Sequence, residues 1–113
     1  MKKTKENSER YHWGEKCNGW HLVKTDGLSV IQEIMPANTE ETRHYHSIAQ
    51  QFFFILEGNA VFEIQNGVIL VEQGEGIHIK PNIKHQIKNN TNEDLEFLVI
   101  SQPTTKLDRI NNT

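Results

Sequence analysis

Short apolar runs recur along this chain at intervals of about ten residues, and each is closed by residues that favour turns. Trp20-His21-Leu22-Val23, Leu28-Ser29-Val30-Ile31, Gln51 to Leu56, Val61 to Gln65, Val68 to Val71, Ile77 to Lys80, Gln86 to Lys88 and Leu95 to Ser101 read as strands. Asn66-Gly67 predicts a tight hairpin, because both residues tolerate the positive φ that a type I′ turn requires. Thr25-Asp26-Gly27, Gly58-Asn59 and Gly74-Glu75-Gly76 mark further turns, and Pro81 ends the strand before it because it has no N–H for the ladder. No helical stripe of any length is visible. Many short strands in one small domain must bury two inner faces, so the expected fold is all-β: a double-sheet jelly roll or small barrel. Residues 1–10 are polar and without period and predict a flexible N-terminal arm. Asn111-Asn112-Thr113 read the same way at the other end, which leaves one domain over residues 11–110.

Side chains alternate across a strand, so parity sorts them into faces. Gln51, Phe53 and Ile55 share one face, Phe52, Phe54 and Leu56 the other. If the first set is core, the second presents aromatic rings outward, and such patches mark interfaces. A homodimer is the expected assembly. By the same alternation His44 and His46 lie on one face of a strand, where two imidazoles can grip one metal ion from the same side.

Bulk properties narrow the classes. A chain of 113 residues is one domain, and its formal charge of -3 gives no reason to expect nucleic acid or an anionic membrane as partner. Cys17 is the one cysteine, so no internal disulfide forms. No apolar run approaches the ~20 residues of a membrane span. The basic start, Met1 to Lys5, leads into Ser8-Glu9-Arg10 and not into an apolar stretch, so it does not read as a signal peptide. The cytoplasm is the expected compartment.

The segment from Glu41 to Gly58, with His44-Tyr45-His46, Gln51 and Gly58, resembles the first signature motif of the cupin family: H-x-H, three or four residues, E, six residues, G. Here Gln51 stands where that motif has Glu. The segment from Gly74 to Asn89 resembles the second motif, with Pro81, His85 and Asn89 in place, Ile83 at the usual glycine, and Asn82 available for the left-handed position of the turn. The resemblance covers residues 44 to 89 and implies a double-stranded β-helix, or jelly-roll barrel. It further implies one divalent transition metal ion (Zn, Ni, Fe, Mn, Co or Cu) held by His44, His46, Gln51 and His85. A neutral amide in place of a carboxylate leaves the ion its full charge. That favours Lewis-acid chemistry and disfavours higher oxidation states. The ligand pattern is similar to that of small cupins that linearise unsaturated uronates.

Three classes of function follow. One is a Lewis-acid or proton-transfer enzyme, of isomerase or lyase type, on a small oxygen-rich substrate such as a sugar, uronate or keto acid. The others are a metal-dependent dioxygenase and a non-catalytic small-ligand-binding domain. Glu33, Glu57 and His78 are the candidates for a general base. Asp108-Arg109 reads as a solvated tail, with a place over the cavity mouth as the alternative. His12, His21 and Cys17 read as bystanders, and Trp13, Trp20 and Leu22 as packing residues.

Overall fold

The structure, a computed structural model, describes residues 1–111. Twelve strands build it: β1 (Glu9–Trp13), β2 (Cys17–Lys24), β3 (Ser29–Met35), β4 (Thr39–Glu40), β5 (His44–His46), β6 (Gln50–Glu57), β7 (Asn59–Ile64), β8 (Gly67–Glu72), β9 (Gly76–Ile79), β10 (His85–Asn89), β11 (Leu95–Gln102) and β12 (Arg109–Asn111). One sheet runs in the order β1-β2-β3-β11-β6-β9. The second runs β12-β5-β10-β7-β8, with β4 paired to β10. Every pairing is antiparallel. The chain is thus an all-β jelly roll, as its pattern predicts. A single helical turn, Lys5–Asn7, precedes the strands, and among the described residues no helix is long and apolar enough to cross a membrane.

Alternation carries over into burial. In β6, Gln51, Phe53 and Ile55 are buried while Phe52 is 38% exposed. In β11, Leu95, Phe97, Val99 and Ser101 point inward. The second sheet contributes Ala60, Phe62, Val71 and Ile87, and the two inner faces meet in one apolar cluster. That cluster fills one end of the sandwich. Towards the other end the inner faces turn polar, and the site lies there.

Three local features depart from the sequence pattern. The hairpin closes one residue early: Ile64 pairs with Gly67, so the turn residues are Gln65 and Asn66, and Gln65 takes φ 52. Tertiary bonds hold it there: its N–H donates to the Lys84 carbonyl and its own carbonyl accepts from Arg43. The first strand begins at Glu9, inside the segment expected as an arm, because Tyr11 and Trp13 turn one face of β1 onto the domain while the other stays wet. Before it, Lys5 Nζ lies 3.1 Å from Glu96 Oε2. Asn111 belongs to β12, whereas Asn112 and Thr113 lie outside the described residues.

Candidate metal centre

His44 and His46 both face inward from β5, and His85 stands opposite His44 in the register of β10. All three are at most 4% exposed, and one ring nitrogen from each lies within 4.8 Å of the others. The outward nitrogens are engaged. Nδ1 of His44 is 2.8 Å from the Thr42 carbonyl, Nδ1 of His85 2.9 Å from the Ile83 carbonyl, and Nδ1 of His46 3.0 Å from Asp108 Oδ1. Each acceptor draws the proton to Nδ1 and leaves the Nε2 lone pair free to point into the site. Burial and the neighbouring imidazole hold His44 near a pKa of about 3, and burial holds His85 near about 4. Both rings are therefore neutral at ordinary pH, the form that binds metal.

Gln51 joins them from β6. Its amide Nε2 donates to Ser101 Oγ at 3.0 Å, which turns Oε1 the other way. Gln51 Oε1 and His85 Nε2 are both buried without a hydrogen-bond partner. Such orphaned acceptors are costly unless something positive meets them. Three imidazoles with ring nitrogens within 4.8 Å of one another, and an unpartnered amide oxygen on a residue lining the same cavity, suit a divalent transition ion, so the residues present fit the group that the sequence resemblance implies.

The surroundings hold these donors in place. Asp108, read from sequence as a solvated tail, is 6% exposed. Its Oδ2 accepts the backbone N–H groups of Ile48 and Ala49, while Oδ1 orients His46. Burial alone raises a carboxyl pKa, but these donors outweigh it and keep Asp108 below its ordinary value. Asn82 takes φ 68 and donates its N–H to the His46 carbonyl at 2.7 Å, so the turn after Pro81 manages without the motif's glycine. Asn89 is a clamp away from the site, donating to the carbonyls of Met35, Pro36 and Glu93.

A cavity of about 150 Å³ opens on this cluster. His44, His46 and Gln51 line one side, and Tyr11, Trp13, Glu33, Glu41, Thr105 and Arg109 complete the wall. Of the three candidate bases, Glu33 alone reaches the cavity. His78 is exposed and bonded to Gln50, and Glu57 is exposed at the far end of β6. Sequence reasoning missed Tyr11 and Glu41. Glu33 carried a usable signal: it shares parity with Ile31 and Met35, so its carboxyl falls on an inward face.

The Tyr11 hydroxyl donates to Glu33 Oε2 at 3.3 Å. The two residues lie in one row across the first sheet, Tyr11 opposite Gly19 and Gly19 opposite Glu33. Gly19 makes the reach possible, because a Cβ there would lie 2.5 Å from Tyr11 Cζ. Burial and the nearby Glu41 charge push Glu33 up to about 8, against the Tyr11 bond and the Arg109 charge. Burial pushes Glu41 up to about 7, with Arg109 and the Ile87 N–H opposing.

Comparison with known proteins agrees with this architecture. A protein of Methanocaldococcus jannaschii described as uncharacterized is 31% identical over 83 residues, which cover 74% of this chain and 66% of that protein, just under two thirds of its length. The polyketide cyclase RemF from Streptomyces resistomycificus superposes with a TM-score of 0.85 at 17% identity, over 100% of this chain and 86% of that one. A cupin-superfamily sugar phosphate isomerase from Silicibacter pomeroyi superposes with a TM-score of 0.81 at 20% identity, over 92% and 76%. Identities this low show a shared fold. Residues 30–101 match the family described as the cupin domain. With that match, the two motifs and the jelly roll, the chain belongs to the cupin family.

Proposed function

We propose that this protein is a mononuclear metal enzyme of Lewis-acid or proton-transfer type, acting on a small oxygen-rich substrate. The observation that carries this reading is the pair of orphaned buried acceptors, Gln51 Oε1 and His85 Nε2, beside two further imidazoles whose outward nitrogens are tied. His44, His46, Gln51 and His85 would hold one divalent transition ion. When bound, it supplies polarisation of a carbonyl or hydroxyl oxygen. The four donors are neutral, and two acids stand behind them, Asp108 3.0 Å from His46 Nδ1 and Glu41 3.9 Å from His44 Nδ1. Each is set one imidazole away from the ion and offsets its field less than a directly bound carboxylate does, so the bias against high oxidation states stands, though reduced. The chain's own residues position the substrate from the other wall: Arg109 brings a positive charge, and Glu41, Glu33 and Tyr11 bring hydrogen-bonding oxygens.

Two structural relatives bear the names of an isomerase and a cyclase, and neither name is that of an oxygenase. The substrate class in this reading is a sugar, uronate or keto acid. The partners are small molecules, a second copy of the chain completes a homodimer, and the cytoplasm is the setting.

The test is elemental analysis of purified protein followed by reloading. One equivalent of a divalent ion is expected in the wild type and none in His46→Ala or His85→Ala. Unchanged metal content in both variants ends the reading. In an oxygen electrode, the iron-loaded protein should show no substrate-dependent O₂ uptake, and rapid uptake would assign a dioxygenase instead.

A further inference from the structure

Glu33 is a carboxyl buried in the inner face of the first sheet, bonded to one hydroxyl, and set on the wall of the cavity that His44, His46 and Gln51 also line. Packing does not explain it, since it interrupts an otherwise apolar row between Ile31 and Met35. Nor does an ion pair, since no cation lies within salt-bridge distance of it among the described residues. A buried carboxyl of this kind is costly to keep, and clefts are where such groups do chemistry. We propose that Glu33 is the proton-transfer residue of the site, positioned by Tyr11 across Gly19, and that the substrate is a neutral hydroxy-aldehyde or hydroxy-ketone of triose size. The proposal rests on the metal reading above.

Size and charge select the substrate. A cavity of about 150 Å³ seats a small molecule, and trioses are the smallest sugars that an aldose–ketose exchange interconverts. Arg109 brings one positive charge to the wall, and Glu33 and Glu41 face it there. Among the protein groups of the wall, Arg109 is matched by Glu41, so the wall keeps no spare cation for a substrate carboxylate, whereas hydroxyls bond to both acids.

The step balances without an oxidant. Glu33 takes the proton from the carbon between the carbonyl and the hydroxyl. The C–H electron pair becomes the C=C of an enediolate, and the carbonyl π pair moves to its oxygen. Glu33 then returns the proton to the former carbonyl carbon, whose new C–H bond takes the C=C π pair. The hydroxyl proton passes to the former carbonyl oxygen and its O–H pair becomes the new C=O, which exchanges aldose for ketose. A base whose affinity lies near working pH both accepts and returns a proton, and Glu33 is held up to about 8. The titratable groups around it are Tyr11, Glu41, Arg109 and Cys17, and the imidazoles of His44 and His46 line the same cavity. Tyr11 acts through Glu33: its bond favours the carboxylate.

The experiment follows deuterium exchange and isomerisation of glyceraldehyde and dihydroxyacetone by proton NMR in D₂O, using metal-loaded protein. Probe binding is read independently from the fluorescence of Trp13, which lines the cavity. The wild type should bind and exchange both trioses, with a rate that rises with pH as Glu33 gives up its proton. Glu33→Gln should bind metal and triose as before and exchange at least about a hundredfold more slowly. Tyr11→Phe should lose about tenfold, the weight of one bond to a charged group, and its pH profile should move to higher pH. A purely structural Tyr11 would leave that profile in place. Undiminished exchange in Glu33→Gln overturns the proposal, as does triose binding without exchange in the wild type. Exchange of pyruvate with no binding of trioses overturns the substrate class. A protein that takes up no metal fails the earlier reading instead, which elemental analysis detects before any triose is added.

Discussion

In the proposed site, Gln51 and Asp108 would divide between them a task that one glutamate performs in the motif this chain resembles. Gln51 keeps a neutral oxygen without a hydrogen-bond partner, and a negative charge stands on Asp108, behind His46. Their exchanges should therefore act in opposite directions. Gln51→Glu is expected to tighten divalent metal, and Asp108→Asn to weaken it by about 10–100-fold, the usual cost of losing an orienting partner. Competition against a chelating dye measures both, and equal affinities across the three proteins would show that neither residue senses the ion. Glu33 has a signature in stability as well. Its folded pKa of about 8 is above the unfolded carboxyl value of 4.5. The folded state thus holds the proton more tightly, and this contribution is fully present below pH 4.5 and lost as pH rises through about 8. Denaturant titrations of metal-free protein should show wild type losing stability relative to Glu33→Gln across that window. A pH-independent difference would place Glu33 in contact with water.

Among the elements, two glycines set tight approaches. Gly58 turns β6 into β7 at φ +93, and a Cβ there would come 2.8 Å from the Asp94 carbonyl oxygen. Gly58→Ala combines left-handed strain with a backbone clash and should cost about 1–3 kcal/mol by denaturant unfolding. Gly19→Ala should leave the strands paired but push Tyr11 off Glu33, so its loss would match Tyr11→Phe in the exchange assay above. These elements also show what the sequence makes legible. The histidines and Gln51 sit in local motifs whose spacing maps onto strand faces, so their convergence follows from alternation and one long-range pairing, His85 with His44. Gly58 and Asn82 are legible for the same reason: each marks a backbone angle within a short turn. Tyr11, Glu41 and Arg109 come from β1, the β4–β5 link and β12, and no spacing relates them. Only the order of strands across the two sheets brings them to one cavity. The hairpin slipped from Asn66-Gly67 to Gln65-Asn66 because bonds from Lys84 and Arg43, remote in sequence, outweigh the local preference.

At the scale of the whole molecule, the first sheet keeps an apolar groove on its outer face, formed by Leu28, Phe52 and Ile100 among polar neighbours. Phe52 and Leu28 are exposed there, as the parity of β6 anticipates for Phe52. A second copy covering this groove is the assembly proposed above. Light scattering at micromolar concentration should give the mass of two chains, and Phe52→Glu should return the mass of one. A wild-type monomer would instead leave the groove open to solvent. In the second sheet, β5 is a short link between β12 and β10. β5 is three residues long, pairs with β10 through His44 and His85 alone, and is otherwise held by β12 and the Asn82 N–H. Two of the four proposed donors ride on this strand, while the others are rooted in the longer β6 and β10. An ion bridging them would rivet this short strand to the longer ones. Amide hydrogens of Tyr45 and His46 should then exchange through brief local opening when the ion is stripped away, and through opening of the whole sandwich when it is restored. In that sense the proposed ion would set the lifetime of the site as well as its reactivity.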